Sequence, residues 1–172
     1  MGRRAARHRF VPHHYVFPGG RLDAADFRSP VETELRPEVA KRLCAHCTPR
    51  LARALAVAAA RETFEETGLA LGPEALKPRL DKLEYVLRAI TPSSSPIRFH
   101  ARFFAVDASH LSGALTGNGE LLDLAWRPLA QCLKLPIVDV TEFLLRRLAA
   151  GTVLAQEAPR LFSFRNGRAL LS

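Results

Sequence analysis

The segment from Thr48 to Gly68 constrains this chain most, because it specifies a helix and then loads the unfavourable end of that helix with acid. Thr48 is a good N-cap, Pro49 suits the first turn, Leu51 to Ala60 is rich in alanine and leucine, and Gly68 is a natural C-terminal stop. The last two turns then hold Glu62, Glu65 and Glu66, within Arg61-Glu62-Thr63-Phe64-Glu65-Glu66-Thr67-Gly68-Leu69. The carbonyl end of a helix carries partial negative charge, and acids at i, i+3 and i+4 repel one another. A divalent cation would reverse that balance, since carboxylate clusters suit hard ions such as Mg2+ or Mn2+. A break of local rules without evident compensation points to a functional site. The alternative is a solvated acidic helix end in which Arg61 bridges to Glu65, because surface ion pairs on helices are common and weak.

A second segment, Val16-Phe17-Pro18-Gly19-Gly20-Arg21-Leu22-Asp23-Ala24-Ala25-Asp26, lies upstream. Together with the helix it resembles the signature of the Nudix hydrolases, G-x5-E-x7-R-E-U-x-E-E-x-G-U, with U a bulky aliphatic residue. Gly20 matches the first glycine, and Arg61, Glu62, Glu65, Glu66, Gly68 and Leu69 match the second half position by position. The middle departs. Asp26 stands where the family has Glu, Thr63 replaces an aliphatic residue, and 34 residues separate Asp26 from Arg61 in place of seven, an excess of 27. A Nudix subgroup that includes peroxisomal coenzyme A diphosphatases has a long insertion at this place, and its members carry text similar to Phe17 to Asp26. Ile90-Thr91-Pro92, then Ile97 to Phe104, and Glu120 to Trp126 ending at Arg127-Pro128 also look like that subgroup, so the matches run from residue 3 to about 148.

The resemblance implies an α/β (α+β) Nudix fold, a mixed β-sheet sandwiched between helices, in a single domain over residues 1–172. Residues 27–60 would be an insertion that includes the start of the catalytic helix. The implied activity is metal-dependent hydrolysis of the pyrophosphate bond in a nucleoside diphosphate linked to another moiety X. The subgroup points to coenzyme A or an acyl-CoA; other relatives use ADP-ribose, dinucleotides or pyridine nucleotides. Bound Mg2+ or Mn2+ can screen phosphate oxygens and lower the pKa of a coordinated water. By resemblance Glu62, Glu65 and Glu66 are metal ligands, with Glu62, Glu65 and Arg61 in the catalytic group. Glu120, which follows the turn-forming Thr116-Gly117-Asn118-Gly119, is the candidate for a later carboxylate acting as general base; its alternative is an exposed loop acid. Gly19 and Gly20 would let the loop approach the metals and substrate, and Asp26 would keep the ion-pairing role of the family's Glu. Arg98 and Arg102, on the basic face of the Ile97 strand, are candidates to meet substrate phosphates, the alternative being an exposed polar face. The competing reading is a catalytically silent Nudix fold that senses nucleotides or binds RNA, against which the intact glutamates count.

Composition narrows the partners. The net charge of +8 comes mainly from arginine, densest in Gly2-Arg3-Arg4-Ala5-Ala6-Arg7-His8-Arg9, and favours anionic partners. No interleaved basic and aromatic module is present, which argues for a small-molecule nucleoside diphosphate derivative over nucleic acid. Cys44, Cys47 and Cys132, with no signal peptide, fit a reducing cytoplasm. Cys44-Ala45-His46-Cys47 has the look of half a zinc site without a second half, and a helix end is the simpler reading. The longest apolar run, Ala54 to Ala60, is far too short to span a bilayer.

Along the chain, Arg9 to Phe17 reads as loop and strand. The insertion from Phe27 to Thr48 holds a short helix near Pro37 to Cys44, with Val39 and Leu43 on one face, as in an ordered lid or interface. Strands are expected at Leu83 to Ile90, Ile97 to Val106 and Leu121 to Trp126, a helix at Val138 to Ala150, and a hairpin of Leu161 to Arg165 and Arg168 to Leu171 around Asn166-Gly167. Alternation puts Ile97, Phe99, Ala101 and Phe103 on one face of the Ile97 strand and Arg98, His100 and Arg102 on the other. Trp126 is expected to pack. The resemblance also implies a strand ahead of Met1-Gly2-Arg3-Arg4, and none is present. A missing strand would orphan backbone groups of its neighbours. The C-terminal hairpin, a homodimer partner or a gene start further upstream would supply it.

Overall fold

The computed structural model describes residues 1–6, 11–91, 98–151, 161–165 and 168–171. In chain order it comprises β1 (Gly2–Arg4), β2 (Tyr15–Val16), α1 (Pro37–Cys44), α2 (Pro49–Thr67), β3 (Leu69–Leu71), β4 (Glu84–Ile90), β5 (His100–Ala105), β6 (Leu111–Gly113), β7 (Leu121–Leu122), α3 (Leu129–Cys132), α4 (Asp139–Ala149), β8 (Leu161–Arg165) and β9 (Arg168–Leu171). The strands form three sheets, ordered β2-β1-β7, β3-β6 and β5-β4-β8-β9, and the last is mixed because β8 runs parallel to β4.

Helix α2 obeys its local signals at both ends. The Thr48 hydroxyl accepts the Leu51 N–H at 3.3 Å, Pro49 takes the first turn, and Gly68 turns into the left-handed region at φ 72° while its N–H donates to the Phe64 carbonyl at 2.8 Å. Its alanine-rich side lets the helix lie close on the sheet. Ala56, Val57 and Ala60 pack with Leu71, Leu80 and Leu83, and one turn earlier Ala52 meets Val39 and Leu43 of α1 and Tyr85 of β4. Helix α1 is thus part of the core over the N-terminal half of α2. The opposite face of the mixed sheet is closed by α4: Leu144 packs on Leu87, Ala89 and Phe162, with the Phe143 and Phe162 rings 5.2 Å apart. The sheet therefore lies between helices.

A register shift between Tyr85 and Leu87 serves both layers. In a regular strand these two side chains would share a face; the bulge sends Tyr85 toward α1 and α2 and Leu87 toward α4. Phe104 follows Tyr85, at 5.8 Å between ring centroids, and Phe103 follows Leu87.

Three expectations need correction. Gly2–Arg4 is itself the middle strand of its sheet, bonded to Tyr15–Val16 on one side and Leu121–Leu122 on the other, where a sheet lacking its first strand was expected. The strand expected over Leu121 to Trp126 ends at Leu122, because Asp123 turns the chain at φ 49° and its carboxylate takes hydrogen bonds from the Tyr15 hydroxyl and, at 2.8 Å, from Arg127. Trp126, expected to pack, consequently stands 64% exposed. The short pair of Leu69–Leu71 with Leu111–Gly113 was not foreseen. Both hairpin strands are present, whereas the Asn166-Gly167 turn lies outside the described residues, as does Ile97.

Candidate functional site

The C-terminal turns of α2 meet the loop after β2, and the joint is made by one arginine. Arg61 holds Asp26 through two hydrogen bonds, at 2.9 Å and 3.2 Å. Its Nη1 donates to Glu62 at 2.9 Å and Glu65 at 3.0 Å, and the Nη2 that bonds Asp26 also donates to the Arg21 carbonyl at 2.9 Å. Asp26 is completely buried and also accepts the Asp23 N–H at 2.7 Å, so a carboxylate shorter than glutamate fills the ion-pairing role with the chain folded inward in a 3-10 turn, Ala25–Phe27. Hydrogen bonding to Asp26 pushes the Arg61 pKa further up. Thr63, the departure from the aliphatic pattern, satisfies its hydroxyl on the Ala59 carbonyl at 2.7 Å.

The two loop glycines touch two of the glutamates directly. The Gly19 N–H donates to the Glu66 carboxylate at 2.8 Å. A Cβ on Gly20 would lie 2.2 to 2.4 Å from the three atoms of the Glu62 carboxyl group, so any larger residue there must push that side chain aside. Gly20→Ala is therefore expected to displace the Glu62 carboxylate and lower kcat/KM about a hundred-fold, the loss that a misplacement of about 1 Å can cause. Steady-state turnover beside a melting curve checks this; wild-type turnover would show that the position of Glu62 is unimportant.

The helix acids are unequal. Glu65 is 48% exposed, whereas Glu66 is 4% exposed. Burial, opposed by the Gly19 hydrogen bond and reinforced by the charges of Glu62 and Glu120, raises Glu66 to about 7. Burial likewise raises Glu62, reinforced by Glu65 and Glu120. Glu120, exposed on the turn before β7, thus lies within electrostatic reach of both. Its own N–H donates to the Asn118 side chain at 2.9 Å, and its carbonyl accepts the Ala5 N–H at 3.4 Å. Arg4 on β1 acts on Glu66 in the favourable sense. That arginine escaped the sequence reading, which saw no strand to bring it there.

A raised acid pKa means that the native state binds a proton the unfolded chain releases near 4.5. Stability from Glu66 is therefore full below about 4.5 and lost as pH rises through about 7. His100, lowered to about 4 by burial and neighbouring cations, works in the opposite sense between about 4 and 6.5. Comparison with Glu66→Gln isolates the first effect. In chelator the variant should gain stability relative to wild type from pH 5 to pH 7.5, and a divalent cation should shrink the gap. A relative gain that falls over that range would contradict the assignment.

Arg61, Glu62, Glu65, Glu66, Gly19, Gly20 and Glu120 converge, but Arg98 and Arg102 do not join them. Tyr85 packs level with Ala52. Ten residues of helix carry Glu62 about 15 Å one way, and three residues of strand carry Arg88, the cross-strand partner of Arg102, about 10 Å the other way. Arg98 is exposed just before β5. Among the described residues no three His, Cys, Asp or Glu side chains form a ready metal cage. Glu62 and Glu65 are turned onto Arg61 and Glu66 onto Gly19, so a cation would take over partners now held by hydrogen-bond donors. The donor set fits a hard divalent ion: carboxylates only, two of them raised in pKa by burial and by neighbouring carboxylates. Cys44 ends α1, and Cys47 donates weakly to the Leu43 carbonyl at 3.2 Å. Among the described residues no helix is long and apolar enough to cross a membrane.

No family model and no curated protein matches the chain. Among solved structures, a NUDIX hydrolase from Alicyclobacillus acidocaldarius is similar, at 30% identity and a TM-score of 0.62 over 87% of this chain and 82% of that one. With that likeness spread over nearly the whole of both chains, and the arginine and glutamates of α2 gathered against the Gly19-Gly20 loop, the chain belongs to the Nudix hydrolase family.

Proposed function

We propose that the protein hydrolyses the pyrophosphate bond of a nucleoside diphosphate linked to another moiety, with coenzyme A or an acyl-CoA as the preferred substrate class and Mg2+ or Mn2+ as the metal. The observation that carries this reading is the Arg61 network, which ties Asp26, Glu62 and Glu65 together while Gly19 engages Glu66. Glu62, Glu65 and Glu66 would hold the metal, which when bound supplies charge neutralisation at the phosphate oxygens and a more acidic water. Arg61 orients two carboxylates at once, and Gly20 allows the backbone against Glu62. Arg4, near Glu66, adds positive charge beside the pyrophosphate. The Glu120 carboxylate, exposed and close to the other acids, takes the proton from the attacking water. The coenzyme A preference rests on the inserted Nudix box, and a cytoplasmic location on the free cysteines.

The test is phosphate-product release from coenzyme A, ADP-ribose, NADH, diadenosine polyphosphates and nucleoside triphosphates, each with Mg2+, Mn2+ or chelator. Metal-dependent cleavage of coenzyme A above the rest is the expected result. Cleavage of another compound would replace X, and nucleotide binding with no turnover in either metal would favour a silent sensor.

A further inference from the structure

We propose that the corner where β4 and β5 pass the α1–α2 turn is a second anion site, taking a phosphate-type oxyanion of a small molecule on Arg88 and Arg102, separate from the glutamate centre. The two arginines are directly paired across the antiparallel strands, and His100, opposite Ile90, continues the same face. Like charges placed opposite one another destabilise a strand pair. Among the described residues no carboxylate forms a salt bridge with Arg88 or Arg102; Glu84, the acid of β4, is taken by Arg36 and Arg42. The arginines are nevertheless held in place. Arg88 Nε donates to His100 Nε2 at 2.6 Å, and Arg102 Nη1 donates to the His100 carbonyl at 3.1 Å.

Partial desolvation and the charges of Arg102, Arg88 and His46 hold the His100 pKa down, which favours the neutral ring that accepts from Arg88. His46, in the α1–α2 turn, brings a further basic side chain to the corner from the helical layer. The same two arginines reach Cys47 and Tyr85 electrostatically, although burial dominates both of those groups. Two guanidinium forks offer paired donors of the geometry that an oxyanion accepts, and an anion between them turns the repulsion into attraction. The cations gather at one cross-strand pair, which suits a single phosphate group better than the extended backbone of a polynucleotide.

Inorganic phosphate is the probe, titrated into the full chain at pH 7 in chelator and at constant ionic strength, with heat and melting temperature as readouts. Phosphate should bind and raise the melting temperature. Arg88→Gln and Arg102→Gln should each weaken its affinity at least ten-fold, yet melt no lower than wild type in phosphate-free buffer, because each relieves the repulsion. Arg102→Lys, which keeps the charge and loses the fork, should fall between and serves if a glutamine variant fails to fold. Glu65→Gln should bind phosphate as wild type does, which separates this site from the proposed hydrolytic one. Absence of binding, equal affinity in Arg102→Gln, or loss of binding in Glu65→Gln would overturn the proposal. Tighter binding of a ten-nucleotide single strand than of phosphate and nucleoside monophosphates would overturn the small-molecule assignment.

Discussion

Glu65→Gln is expected to reduce metal-dependent turnover about a thousand-fold, within the range seen when a positioned carboxylate is lost from a hydrolytic site. The substitution removes one charge at nearly constant shape. Glu65 is half-exposed, and the contact found for its side chain is the Arg61 bond at 3.0 Å, so the fold has little dependence on it. An exposed i, i+4 pair contributes about 0.3 to 0.5 kcal/mol, and the melting temperature should barely move. Activity and stability thus separate. Turnover at the wild-type rate would sink the assignment of this helix end as a metal centre; loss of turnover with a matching loss of melting temperature would instead reduce Glu65 to a structural partner of Arg61.

Arg61→Ala should act on the fold itself. Asp26 is fully buried, and removing Arg61 takes away two of its hydrogen bonds, leaving the Asp23 N–H. A buried charge stripped of its partner destabilises a protein by about 3 to 5 kcal/mol. Urea denaturation should show that loss, and Asp26→Asn in the same chain should recover part of it by removing the orphaned charge. A loss under about 1 kcal/mol, the level of a surface pair, would mean that the Asp26–Arg61 joint is not what closes the inserted loop on α2. The same variant frees Glu62 and Glu65 from the guanidinium, so turnover should collapse with stability.

These effects meet at one place because the box is split in sequence and rejoined in space. Thirty-four residues part Asp26 from Arg61, yet the 3-10 turn of Ala25–Phe27 sits against α2 and the side chains pair bidentately. The spacing alone reads as a broken motif. Between the two, α1 packs over the first half of α2, with Val39 and Leu43 buried beside Ala52 and Tyr85.

Local chemistry settled the elements whose signals are short-range: the Thr48 cap, the Gly68 stop, and α1 by its Pro37 start and paired apolar residues. Tertiary structure settled whatever depends on non-local pairing. Gly2–Arg4 has no strand pattern of its own, and two neighbours make it a central strand; Leu121–Leu122 is cut short by the Tyr15–Asp123–Arg127 contacts. Alternation identified the basic face of β5, but only the antiparallel direction of β4 relative to α2 sent that face away from the glutamates. Capping and periodicity act over one or two turns of chain, whereas burial and cross-strand partners belong to the assembled fold, and the distance between two charged groups belongs with them.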